Sequence, residues 1–368
     1  MKKLFRILLG CALVVAVMAA AAAGLWALTS PDPDLSGPQP DDRFLDMHVH
    51  VAGIGAGGSG CFVNQAMRDN FRFGIFLQAM GVTLDELEAQ GDQLVIARLA
   101  ENISQSSRVG SAVVLAMDGV IGNDGELDRE LTQVYVPSDY VAEQAARYPQ
   151  LHFGASINPY RPDALQRLER AHRQGAVLIK WIPAIMHIDP ADPAITPFYQ
   201  RLAELGLPLL SHAGQERSFA TAEDQYSDPL KLELPLSLGV TVIAAHIGTT
   251  GVYEGEPSYE RLLPLFRRYP NLYTEISSLT QVNKLGYLER ALTVPGLMDR
   301  TLYGSDWPLQ MLLLVHPAYH WPDLSLAEAK ALTGIENPWD RDVRLKQTLG
   351  VPPQVFERSA RLLLPEGQ

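Results

Sequence analysis

Two histidines one residue apart, His48 and His50, sit in the run FLDMHVH. Two more follow far along the chain, His212 in LPLLSH and His246 in TVIAAH, and an aspartate, Asp306, ends TLYGSD. Imidazole nitrogens with one carboxylate are a donor set for a divalent transition metal that keeps an open coordination position. Several imidazoles aimed at one point repel when protonated and are costly when buried without partners; a shared cation resolves both problems. Each residue alone has a plainer reading. An isolated His-x-His can be a pair of core histidines, His212 or His246 singly can be a satisfied buried histidine, and Asp306 can cap the next helix. The common feature is that all of them stand at or near the end of a short apolar run.

Those runs are the elements that must position them. Phe44–His50, Ser111–Met117, Leu151–Ile157, Ala176–Ile182, Leu207–His212, Thr241–His246, Leu272–Ile276 and Thr301–Gly304 are eight strand candidates. They are continuously apolar and do not alternate, as expected of parallel strands covered on both faces. Period-2 geometry points His48 and His50 to the same face. Helical segments intervene. Thr83-Leu-Asp-Glu86 has capping-box spacing and opens a stretch in which Ile96, Leu99 and Ile103 share a face. Pro162–Gln174 starts at proline and stops before glycine. Eight β/α units in series predict an α/β protein with a closed (β/α)8 TIM barrel, whose strand ends gather into one pocket. A doubly wound sheet is the competitor, but no nucleotide-binding glycine turn is present. The glycine-rich Val51–Gly60 reads as a mobile loop above the barrel mouth. Trp307–Gln354 reads as loops and helices beside the pocket, and Val355–Leu364 as a closing helix. Asp118, Asn158, Trp181, Glu216, Glu275 and Trp307 lie at strand ends and are candidates for the rim.

The chain has 368 residues, 47% hydrophobic, with a formal net charge of -12. Lys2, Lys3 and Arg6 are the only charges before Pro31, so the remainder is more acidic still. That balance excludes nucleic acid as a main partner. Two cysteines, Cys11 and Cys61, exclude a CxxC-type zinc site. Ile7 to Leu28 carries no charge and is long enough to cross a bilayer, which takes about 20 residues. Residues 1–30 are therefore expected to form a membrane anchor or a cleaved signal peptide. Residues 31–42 read as an extended, solvated linker, and 43–368 as the barrel. The preceding positive charges put the barrel on the periplasmic or extracellular side, or in the secreted fraction if the segment is cleaved.

DMHVH, LLSHAG, AAHIG and YGSDWP, in this order, resemble the amidohydrolase superfamily. The nearest branch is that of amidohydrolase-related (amidohydrolase 2) hydrolases and decarboxylases. The stretch from Gly175 to Glu216 resembles that branch throughout, and SARLLL resembles its closing helix. The resemblance runs from about Phe44 to Leu364 and is poor at the level of substrate. It implies that His48, His50, His212 and Asp306 hold one divalent metal ion. Zinc fits such nitrogen and oxygen donors, with manganese and iron as alternatives. It also implies Asp306 and His246 as the catalytic acid/base groups. In binuclear members a carboxylated lysine at the position of Lys180 bridges two metals; here Lys180 reads as a cation facing substrate, joined by Trp181, Glu275 and Trp307. The implied activity is metal-dependent hydrolysis of a carbonyl-type small molecule. The alternatives are non-oxidative decarboxylation of an aromatic or enoic acid, with Lys180, Arg68 and Arg72 as cations, and an inactive membrane-anchored binding barrel. Homodimer formation is left open by the sequence.

Overall fold

The computed structural model of the protein describes residues 15, 18–36, 43–311 and 313–364. Its apolar runs form eight parallel strands: β1 (Phe44–His50), β2 (Val109–Leu115), β3 (Leu151–Ala155), β4 (Ala176–Trp181), β5 (Leu209–Ser211), β6 (Val242–Ala244), β7 (Leu272–Glu275) and β8 (Thr301–Leu302). They pair in that order. Past β8 the chain returns to β1. Asp306 N donates to His48 O at 2.9 Å, His50 N donates to Trp307 O at 2.9 Å, and Val49 forms a parallel bridge with Trp307. The expected barrel is therefore present. All but the first strand stop one or two residues earlier than the apolar runs suggest, and His212, His246 and Asp306 thereby fall just past the ladder.

Two apolar layers hold the wall. Leu45, Met47, Val113, Leu115, Leu178, Leu210, Ile243 and Leu302 fill the lower interior, closed from below by Leu363 of the last helix. The outer layer packs strands against helices, for example through Ile96, Leu99 and Ile103 of α3 (Gln93–Ser104), and Phe198 and Tyr199 of α5 (Thr196–Leu205). Burying one such side chain contributes about 1.5–3 kcal/mol. Between these two helices in sequence lies α4 (Ala164–Arg173); before them come α1 (Arg72–Ala79) and α2 (Leu84–Gln90). The Thr83–Glu86 capping box forms, but α2 ends at Gly91, whose φ of 90° only glycine adopts easily, and α3 starts afresh.

Three expectations change. The glycine-rich loop is tied down: the buried Asp92 accepts hydrogen bonds from Ile54 N and Gly55 N, each at 2.9 Å, and from Ser59 Oγ. A side chain at Gly53 would run into that carboxylate. Second, the stretch after Pro31 is not wholly extended. Pro33–Ser36 is a helical turn, and its Leu35 packs on Leu324, Leu332 and Leu345, from α6 (Leu326–Thr333), α7 (Pro338–Thr348) and the loop before them. Lys330 Nζ caps the preceding helical residues 18–28 by donating to Trp26 O and Thr29 O, both at 2.8 Å. Third, no described helix is long and apolar enough to cross a membrane. The expected transmembrane helix and the membrane-anchored location drawn from it are withdrawn; residues 1–14 of that run, with 16 and 17, lie outside the described residues.

α7 also braces the end of β8. Lys346, fully buried, donates to Asp342 Oδ2 at 2.7 Å and to Gly304 O at 3.0 Å, while Tyr303 donates its hydroxyl to the same carboxylate at 2.9 Å. Lys346→Met would leave that carboxylate buried without its counter-charge. We expect a loss of roughly 3–5 kcal/mol, read from the midpoint of urea unfolding; an unchanged midpoint would contradict the buried pair.

Candidate metal centre

The two histidines of β1 face inward because the strand is irregular. Pairing with β2 shifts register between Asp46 and Val49. Met47 therefore belongs to the lower interior and Val49 to the outer layer, while His48 and His50 both point into the cavity. Extra residues in a strand commonly re-aim side chains beside sites. His246 and Asp306 are turned inward differently. Both have left the strand and adopt positive φ, 54° and 63°, a region that non-glycine residues seldom enter. Gly304 makes room beside them, since a Cβ there would stand 2.8 Å from His48 Cβ.

Below the rings lies Glu275, completely buried. Its Oε1 is 3.2 Å from His48 Nδ1 and accepts from His246 N at 2.9 Å. Ser277 Oγ sits 3.2 Å from His48 Nδ1 and 2.8 Å from His246 Nδ1, and Ser277 O is 3.1 Å from His246 Nδ1. The Nδ1 atoms thus face acceptors, which assigns them the ring protons and turns both Nε2 lone pairs toward the cavity. Burial lowers the His48 and His246 pKa values well below the ordinary imidazole range, aided by Lys180 for the first and Lys284 for the second. Burial likewise brings His50 down to about 4, against the pull of Asp306, and lowers His212. The rings are neutral at pH 7. Burial pushes the Asp306 carboxyl up, but His48, His50, Lys284 and the Ser278 hydroxyl outweigh it and hold it below its usual value. Burial lowers Lys180 to about 8, against the attraction of Asp306, Glu275 and Glu216.

The donor atoms fit a metal ion. His48 Nε2 and His50 Nε2 are 3.0 Å apart, and Asp306 Oδ1 is 3.5 Å from each. The point equidistant from these three atoms lies about 1.9 Å from each, close to the ~2.0–2.2 Å range of zinc bonds to nitrogen and oxygen. His246 is also near, with donor atoms of His48, His246 and Asp306 all within 4.8 Å of one another; of the two groupings, the one with His50 is tighter. His212 Nε2 is buried without a hydrogen-bond partner among the described residues, 3.6 Å from Glu216 Oε2, and its ring centroid is 5.2 Å from that of His246.

All five residues and Lys180 line one cavity of about 1090 Å³, a volume that includes space open to solvent. Lys180 Nζ lies 3.1 Å from His48 Nε2. Trp181, Glu275 and Trp307 do not line it. Trp181 follows the inward Lys180 on the same strand, so alternation sends it outward, where it stacks on Phe198 and donates to Ile157 O at 2.8 Å. Trp307 stacks on Trp339 behind the seam, and Glu275 is beneath the histidines. Asp118 is paired with Arg161 at 2.6 Å. Arg68 and Arg72 are also absent from the lining: Arg68 donates to Val63 O and Arg72 lies over Phe71. Glu216 does face the cavity. The sequence reading missed Lys284, Arg217 and the apolar wall of Phe73, Phe76, Leu77 and Met80, none of which stands at a strand end. Ser277 and Ser278 were also missed, although they stand two and three residues after Glu275 at the end of β7.

Among solved structures, an uncharacterised TIM-barrel protein from Bordetella bronchiseptica is 18% identical with a TM-score of 0.52, over 84% of this chain and 99% of that one. At such identity the likeness is one of fold. A protein from Pseudomonas putida assigned as a 2-pyrone-4,6-dicarboxylic acid hydrolase is 16% identical with a TM-score of 0.47, over 87% of this chain and 97% of that one. The 5-carboxyvanillate decarboxylase of Sphingomonas paucimobilis is 13% identical with a TM-score of 0.46, over 87% and 98%. A search of curated proteins finds no match. The sequence model described as amidohydrolase matches residues 45–337, most of the chain and every residue of the centre. With that match, and with the barrel and its histidine–aspartate floor, the chain belongs to the amidohydrolase family, in its amidohydrolase 2 branch.

Proposed function

We propose that the protein is a metal-dependent hydrolase acting at the carbonyl of a small molecule, with one divalent ion, zinc for preference, held by His48, His50, His212 and Asp306. The observation that carries this reading is the 3.0 Å approach of two imidazole nitrogens beside a carboxylate oxygen 3.5 Å from both. Bound there, a divalent ion brings the pKa of water toward about 7 and polarises a carbonyl. Asp306, anchored by Ser278, accepts the proton released as water attacks. His246 Nε2 stands 3.9 Å from Asp306 Oδ2 and passes that proton to the leaving atom. Ser277 keeps the His246 ring in the tautomer this requires, and Glu275 holds the backbone N–H of His246. Lys180 faces the substrate and orients its carbonyl.

Non-oxidative decarboxylation is the second reading, favoured by the two lysines, Lys180 and Lys284, that line the same cavity. Metal analysis with a screen of lactones, amides and esters, carbon dioxide release being followed in parallel, separates them. We expect about one metal per chain and hydrolysis. Carbon dioxide without hydrolysis favours the second reading, and a chain that takes up neither zinc, manganese nor iron sinks both.

His246→Asn tests the division of labour, since asparagine tolerates positive φ better than alanine. Metal content should stay near one per chain while turnover falls by about 10²–10⁴; His48→Ala should lose both together. Lys180→Ala tests nuclearity. Wild type and variant should hold the same single metal and differ in substrate affinity or rate. Two metals in wild type and fewer in the variant would instead make the lysine a carboxylated bridge.

A further inference from the structure

The cavity's charges are unevenly committed. Three cations line it, Lys180, Arg217 and Lys284, against two carboxylates, Glu216 and Asp306. Lys180 lies 3.1 Å from His48 Nε2, and Arg217 is bound to Gln215 Oε1. Glu216 is occupied too, accepting from Ser218 N at 2.6 Å. Lys284 differs. It ends the single turn Val282–Lys284, fixed by its own N–H on Gln281 O at 2.8 Å. Its side chain is half-buried, and among the described residues its ammonium makes no hydrogen bond or ion pair. It nonetheless faces Asp306, Glu216 and Glu275 closely enough to feel their charge. A lysine held this way, partly withdrawn from water and without a partner, lacks the acceptor that would compensate its partial desolvation.

One side of the cavity is hydrocarbon, while Gln215, Ser218, Thr250, Gln281 and Asn283 add uncharged polar groups elsewhere. Phe73, Phe76 and Leu77 of α1, with Met80 just after it, form one wall, with Phe219 and Leu309 facing in from other segments. Lining cations exceed lining carboxylates before any metal binds, and a divalent ion would widen the excess. Neutral apolar molecules satisfy the walls and leave Lys284 without an acceptor. Doubly polar ones waste the walls.

We propose that Lys284 is a specificity-determining residue that binds an anionic group, a carboxylate, on a substrate whose body is apolar. This deepens the reading of the cavity as a metal-dependent active site and rests on it. In the bound state the carboxylate accepts from Lys284 Nζ while the hydrocarbon body lies along Phe73, Phe76 and Leu77, which brings the rest of the molecule to the histidine floor.

The test is calorimetric titration of the metal-loaded full chain with 3-phenylpropanoate and with its neutral amide, metal content being measured on the same samples. Wild type should bind the acid roughly tenfold or more tighter than the amide. Lys284→Met and Lys284→Gln should lose most of that preference, and Lys284→Arg should keep it. The turn is at the surface, and unchanged thermal midpoints in the variants verify their folding. Equal binding of acid and amide by wild type overturns the proposal. So does a preference that survives in Lys284→Met, since the metal alone would then be choosing the anion. Absence of metal would instead count against the hydrolase reading, and a Lys284-dependent preference in such a sample would still stand.

Discussion

The seam between the first and last strands is the constraint on which the site depends. His48 and Asp306 are separated by most of the barrel in sequence, yet Asp306 N donates directly to His48 O at 2.9 Å. That single backbone bond, repeated as His50 N to Trp307 O, fixes the carboxylate beside both imidazoles. It forms only when the other six strands have taken their places between the two. The site is thus a readout of barrel closure. The groups behind the seam are accordingly well anchored: Asp46 accepts from Ser305 N and from Trp339 Nε1, and Lys346 holds Gly304 O.

Closure also creates the electrostatic problem that gives the floor its chemistry. Four imidazoles are withdrawn from water, and burial drives their pKa values down. A buried ring nitrogen without a partner costs about 1–3 kcal/mol; among the described residues His212 Nε2 is one, while His48 Nε2 has Lys180 Nζ 3.1 Å away. Glu275 and Ser277 relieve the outward nitrogens of His48 and His246, leaving the inward ones exposed to the cavity. The same carboxylate holds the His48 ring and the backbone N–H of His246. Orientation and basicity of the inward nitrogens are therefore set by groups that never meet the substrate.

The strands were legible because each is a continuous apolar run, and their number and order carried the barrel with them. The inward direction of Lys180 was legible too. By the same alternation Trp181 had to point outward, and grouping both with the substrate overlooked it. For His246 and Asp306, period-2 reasoning does not apply. Both have left the strand in a left-handed backbone conformation that the sequence does not announce. The N-terminal segment misled for another reason. Apolar composition alone does not foretell that the end of the run is capped by a distant lysine, Lys330.

Composition, the eight apolar runs and the histidines and aspartate at or near the ends of four of them were determined by the sequence itself. These depend on local periodicity, and local periodicity is written one residue after another. The amidohydrolase motifs likewise belong to the sequence. Tertiary structure alone decided which polar groups meet, that Glu275 lies under the histidines instead of beside the substrate, that Arg68 and Arg72 turn away, and that Lys284 faces the cavity. Those outcomes depend on loops brought together across the mouth of a closed barrel. The distances between such loops are set by the packing of the whole ring, and no window of sequence contains them.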